Sequence, residues 1–320
     1  MGQIKYGKLV IIGAGHVGSA ILNSVVRLNL MEDIVVINRN RERALGEVMD
    51  ASHTLAFAYS VNTTIRVGGY EECADAQIIV NTAGPSIPPG SKDRMALLHS
   101  NVQVMNDIMG EITKHTREAI IINVSNPVDI LTYTAQKKFG YPADKILSTG
   151  TILDTARFNK MLGDICGVDS KNVTGFVLGE HGHTSFVPWH TVNICGIPFE
   201  EFERQFEPAE HIDKEKLLHD VKNSGLEILR LKGYTSSGIA LSVCRLIGSI
   251  IRNEKAVLPV SVVMEGQYGL SGVAMSLPCI ISKKGIERIL ELPLDAAAHK
   301  DLMLCYDYLH GNIESVKDML

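Results

Sequence analysis

A chain of 320 residues with a formal net charge of −5 is long enough for two hydrophobic cores, or for one core with a large appended part. Its 45% hydrophobic and 21% charged residues exclude a disordered polymer, and its scattered Lys and Arg leave no electrostatic footprint for nucleic acid or an anionic membrane. No apolar run suits a bilayer span or, in the first residues, a signal peptide, so a cytoplasmic location is expected.

In chain order, residues 9–12 read as a buried strand that runs directly into Gly13, Ala14, Gly15, His16, Val17 and Gly18, followed by an apolar-periodic helix over 20–30. This is GxGxxG between a strand and a helix. The first glycine permits the tight turn, the second lets a pyrophosphate approach the backbone, and the third lets helix pack on strand. In that context dinucleotide binding outweighs the conformational reading of a Gly-rich turn. A second strand over 34–37 ends at Asn38, followed by Arg39 and Arg41, where an Asp or Glu would ordinarily take the ribose hydroxyls. NAD is expected, with NADP as its competitor, because Asn38 removes repulsion against a 2′-phosphate that Arg39 would pair with.

Further strands are expected at 64–67, 78–81 and 120–124, all continuously apolar, which implies a parallel sheet covered on both faces and joined by crossover helices. From about Gly150 the rhythm changes. Strands at 173–178 and 187–195, a charged helix at 213–231, strands at 257–264 and 273–281, and a closing helix at 296–320 read as a second unit. The expected fold is therefore α/β: a Rossmann doubly wound parallel sheet over residues 1–150, then a mixed α/β substrate domain over residues 151–320. The six cysteines form no CxxC pair and no zinc-like Cys/His spacing, so they read as reduced thiols and no metal is expected.

Along the strand ends lie Asn81, Thr82, Ala83 and Gly84; Asp93 and Arg94 after a loop with Pro85, Pro88, Pro89 and Gly90; Ser125-Asn126-Pro127-Val128-Asp129; Leu153-Asp154-Thr155-Ala156-Arg157; Gly179-Glu180-His181-Gly182; and Lys232-Gly233-Tyr234-Thr235-Ser236. Taken singly, a histidine is most often a surface or core residue, and an Asp with an Arg three positions on is a modest helix ion pair. In this order, and over essentially the whole chain, the set resembles the family of L-lactate and malate dehydrogenases, including the L-2-hydroxyisocaproate dehydrogenases.

The chemistry implied is hydride transfer between a nicotinamide cofactor and a small 2-oxo or 2-hydroxy acid. Such a reaction needs a proton donor at the carbonyl, a cation to polarise it, a carboxylate clamp and a positioned hydride source. By resemblance, His181 is the acid–base group oriented by Asp154, Arg157 is the clamp, and Arg94 closes over the substrate from a mobile loop. Asn126 orients the reacting oxygen through a cis bond to Pro127, and Thr235 lines the pocket. The cofactor-binding set implied is Gly13, Gly15, His16, Val17, Gly18, Asn38, Arg39, Thr82, Ala83, Gly84, Asn101, Val124 and Asn126.

The specificity position is Ile87 or Pro88, since the loop holds one residue more than in common lactate enzymes. Either is apolar, which disfavours malate dehydrogenase, the nearest rival, because a second substrate carboxylate would lack its arginine. A catalytically silent nucleotide-binding regulator is the other alternative, and the intact acid–base and arginine set counts against it. His183, next to the GEHG glycine, departs from the Asp of many lactate dehydrogenases and adds a titratable group near His181. The expected partner is a small-molecule substrate, and the expected assembly is a homo-oligomer, a tetramer rather than a dimer.

Overall fold

The computed structural model describes residues 7–57, 63–85, 94–206 and 212–320. In the first half come β1 (Lys8–Ile12), α1 (His16–Arg27), β2 (Asp33–Ile37), α2 (Arg41–His53), β3 (Thr64–Val67), β4 (Ile78–Asn81), α3 (Arg94–Ile112), β5 (Ile120–Asn123), α4 (Val128–Phe139) and β6 (Ile146–Ser148). The second half supplies α5 (Ile152–Ile165), β7 (Val173–Thr174), β8 (Asn193–Ile194), β9 (Ile197–Pro198), α6 (Phe199–Phe206), α7 (Lys214–Lys232), α8 (Ser237–Ile251), β10 (Ala256–Glu265), β11 (Ser271–Ser282), β12 (Gly285–Ile289) and α9 (Ala296–Ser315).

The first six strands pair in parallel in the order β3-β2-β1-β4-β5-β6, the doubly wound arrangement expected from their apolar runs. Successive residues of each strand enter opposite cores. Val10, Ile12, Ile79 and Ile121 pack on one face with buried residues of α3, α4 and α9, while Leu9, Ile11, Val80 and Ile122 pack on the other with those of α1, α2 and α8.

The expected division near residue 150 falls just after β6, but the sheet does not stop there. β10 pairs antiparallel with β6 through Ser261 and Ser148, and β11 and β12 follow, so both halves share a nine-stranded sheet. A third core, built on Phe158, Leu162, Val192, Phe199 and Val221, lies under the small β7-β8-β9 sheet, α5 and α7.

The two strands expected at 173–178 and 187–195 shrink to residue pairs. Gly175 sits where a Cβ would come within 2.6 Å of the Phe158 ring, and Pro188 withholds a ladder donor and opens a 3-10 turn, Trp189–Thr191. The expected closing helix ends at Ser315, and a 3-10 turn, Lys317–Met319, follows. Helix starts follow side-chain chemistry: Asn40, Asp213 and Asp295 cap α2, α7 and α9 by accepting backbone N–H bonds from Arg43, Lys216 and Ala298.

Candidate active site

The carboxyl ends of β1, β4, β5 and β6 open on one edge of the sheet, where the strand order reverses on either side of β1, and the motif residues follow those ends directly. Gly13 has φ +105°, and its amide donates to Ile37 O at 2.8 Å. A Cβ on Gly18 would fall 1.9 Å from Gly13 O, so strand and helix approach as closely as the third glycine demands. Gly15, by contrast, faces open space. It caps α1 without any side-chain bond, leaving the first-turn amides of this 12-residue helix for an anion. That cradle fits the pyrophosphate of a dinucleotide.

The rest of the expected cofactor set divides by what each group touches. Asn38 points its Oδ1 at the Ala14 amide, 3.1 Å, and donates Nδ2 to Asn40 O at 2.9 Å, so it braces the glycine loop while keeping acceptor and donor capacity to spare. Arg39 is exposed. Val17 packs its side chain on the core and offers only its backbone to the helix start. Thr82 donates its hydroxyl to Ile12 O, and the Ala83 amide donates to Asn81 Oδ1. Gly84 leaves no room for a side chain: a Cβ there would meet Asn101 Oδ1 at 2.6 Å. Asn101 is itself buried and donates to Pro85 O, so it supports the loop after β4 from below. The Val124 amide donates to Asn81 O, and the Asn126–Pro127 bond is cis, as expected.

His181 and Asp154, 27 positions apart, meet with Nδ1 2.7 Å from Oδ2. Asp154 lies in the first turn of α5 and accepts from Arg157 Nη1 at 3.1 Å through its other oxygen. Burial acts to lower the pKa of His181, but the adjacent Asp154 carboxylate outweighs it and holds the imidazolium up to about 9. Burial opposes ionisation of Asp154 too. There His181 and Arg157 prevail, and its carboxyl is held below the ordinary value. The pair therefore presents a proton on His181, with Nε2 as the remaining ring nitrogen, and a guanidinium beside it whose tip faces Gly225 on α7.

Ile87 and Pro88 lie outside the described residues; Arg94 opens α3, and only its backbone is described. Thr235 sits half-buried in the turn between α7 and α8. Its neighbour Tyr234 stacks on His16, with ring centroids 4.0 Å apart and planes 9° apart, and Lys232 Nζ lies 4.5 Å from the Tyr234 ring centroid. This stack joins the start of α1 to the expected substrate loop, and sequence spacing alone gave no sign of it. His183 packs on α9. It meets Tyr308 edge-on at 4.5 Å, while its carbonyl accepts from Lys222. Asp129 was the other residue missed: it is buried and accepts the His181 backbone N–H at 2.8 Å. Among the described residues no cluster of His, Cys, Asp and Glu suits a metal ion, and no helix is long and apolar enough to cross a membrane.

Two family models match almost the entire chain: the lactate/malate dehydrogenase NAD binding domain over residues 7–148, and the lactate/malate dehydrogenase alpha/beta C-terminal domain over residues 151–320. The chain is 55% identical to L-lactate dehydrogenase 2 of Clostridium acetobutylicum over 310 residues, 97% of each chain. It is 42% identical to L-lactate dehydrogenase of Selenomonas ruminantium over 288 residues, 90% of this chain and 91% of that one. Among solved structures, the minor L-lactate dehydrogenase of Enterococcus mundtii in its ligands-bound form superposes with a TM-score of 0.93 at 33% identity, covering 98% of this chain and 99% of that one.

Proposed function

We infer, from the premise that the chain belongs to the lactate/malate dehydrogenase family, that it is an NAD-dependent L-lactate dehydrogenase. The observation that carries the reading is the His181–Asp154–Arg157 constellation at the strand ends beside an open dinucleotide cradle. When bound, the nicotinamide supplies a hydride to pyruvate or accepts one from lactate. His181 gives its Nε2 proton to the carbonyl oxygen in reduction and takes it back in oxidation. Asp154 holds the imidazole in place and stabilises its charged form, and Arg157 offers its free donors to the substrate carboxylate. Asn126 and Thr235 are assigned to the reacting oxygen and the pocket wall, and Arg94 to polarisation of the carbonyl.

The test is a panel of pyruvate, longer 2-oxo monocarboxylic acids and oxaloacetate, each with NADH and NADPH. Pyruvate with NADH is expected to exceed oxaloacetate in kcat/KM, because an unpaired second carboxylate costs several kcal/mol to bury. NADH is expected to exceed NADPH by a modest margin, and Asn38→Asp to widen that margin by restoring repulsion against the 2′-phosphate. A preference for oxaloacetate overturns the substrate, and a margin unmoved by Asn38→Asp overturns the ribose contact.

The same proposal includes a cytoplasmic site of action, supported by six free thiols, and a homo-oligomer, a tetramer by preference. Leu45, Met49 and Phe57 are 42%, 59% and 71% exposed on and just after α2, and Leu241 on α8 is 56% exposed. Both helices contact α1 and share one core with it, so they cover the same face of the sheet. Sedimentation velocity at micromolar concentration is expected to give a species larger than the 35.0 kDa chain; a monomer sinks the assembly.

A further inference from the structure

Two polar residues follow β5 closely. Asn126, already assigned to the reacting oxygen, comes first; Asp129 follows three residues later, in the first turn of α4, where the helix dipole favours an anion. Asp129 is only 2% exposed, and its Oδ2 accepts the backbone N–H of His181. It faces His181 and Glu180 from the GEHG loop and Cys305 from α9, with the Ser261 hydroxyl of β10 beside it. His181 faces Asp154 and Arg157 from α5 on its other side. His181 is thus contacted by buried carboxylates from two helices, Asp154 at its ring and Asp129 at its main chain.

We propose that Asp129 is a positioning residue for proton transfer: it fixes the His181 main chain relative to Asn126, and its buried charge joins that of Asp154 in favouring the imidazolium. The inference rests on the reading of His181 as the proton donor. Anchoring alone does not call for a carboxylate, since a neutral amide accepts the same N–H at a far lower desolvation cost. Burial pushes the Asp129 carboxyl up to about 6, against the help of Ser261 and of the His181 amide, so its charge is held at a penalty in the pH range where the enzyme works. What that charge does is act on His181, whose proton affinity it raises.

The experiment is the pH profile of kcat/KM for pyruvate with saturating NADH, in the wild-type enzyme and in Asp129→Asn. Asparagine keeps an acceptor for the His181 N–H and removes the charge. The alkaline midpoint, where His181 loses its proton, is expected to move down by about half a pH unit or more. Asp129→Ala, which removes the acceptor as well, is expected to show the same shift with an added loss of kcat. A midpoint in Asp129→Asn equal to that of the wild type overturns the proposal, whereas a wild-type enzyme without His181-dependent turnover overturns the donor assignment instead. If Asp129→Asn does not fold, the wild-type protein decides: in histidine-labelled enzyme, the His181 backbone amide resonance, identified by its loss in His181→Gln, should titrate with a midpoint near pH 6. An amide that stays flat from about pH 5 to 7.5 overturns the proposal.

Discussion

His181→Ala is expected to lower kcat for pyruvate reduction by about 10²–10⁴-fold, the usual worth of a positioned acid–base group, with little change in NADH affinity. The separation follows from which elements hold each group: the glycine cradle is built by β1 and α1, while His181 is held by Asp154 on α5 and Asp129 on α4. Asp154→Asn is expected to cost less at neutral pH but to change the pH dependence. Reduction uses the protonated imidazole, so kcat/KM in the wild type should fall tenfold per pH unit above about 9. Without the Asp154 charge, burial is left to lower the His181 pKa, and the fall should begin at lower pH. A loss below tenfold in His181→Ala, or an unmoved inflection in Asp154→Asn, contradicts the assignment.

Arg157→Leu should reduce kcat/KM for pyruvate by about 10²–10³-fold, corresponding to about 3–4 kcal/mol for losing one side of a desolvated charge pair, with most of the effect in KM. Arg157→Lys should recover only part of it, because an ammonium cannot present the planar fork. Arg157 also acts on the acid–base pair. Its positive charge works against the imidazolium, so removing it should move the His181 inflection up, opposite in sign to Asp154→Asn. Steady-state kinetics across pH checks both, and an unchanged KM in Arg157→Leu rules out the clamp.

The parallel half of the fold was legible because strands buried on both faces have no polar side to disguise them: residues 9–12, 34–37 and 78–81 are apolar almost throughout. β6 was too short to register, and β12 is an edge strand whose Glu287 and Arg288 hide its period. Where the expectation overreached, at 173–178 and 187–195, the apolar residues were real, but a glycine against an aromatic ring and a proline stopped the ladders. In the site, His181, Asp154 and Arg157 could be read because each lies in a distinctive string of residues. Asp129 lay in such a string as well, yet its partner is a main-chain amide 52 positions away, which side-chain identity does not reveal. The Tyr234–His16 stack was hidden for the same reason: it depends on a turn between helices landing on the start of α1.

The shared sheet has a mechanical consequence. At the seam, where Ser148 pairs with Ser261, a Cβ on Gly150 would stand 2.5 Å from Ser276 Oγ and 2.6 Å from Ser261 N, so the backbones there are in contact with no slack between them. Gly179 and Ser276 exchange both of their backbone bonds one strand further on, stitching the loop that carries His181 to the same slab. A bilobed enzyme that swings its halves apart to admit substrate needs a compliant joint between them. Here a continuous sheet occupies that point, and parting the halves would have to break the pairing of β6 with β10.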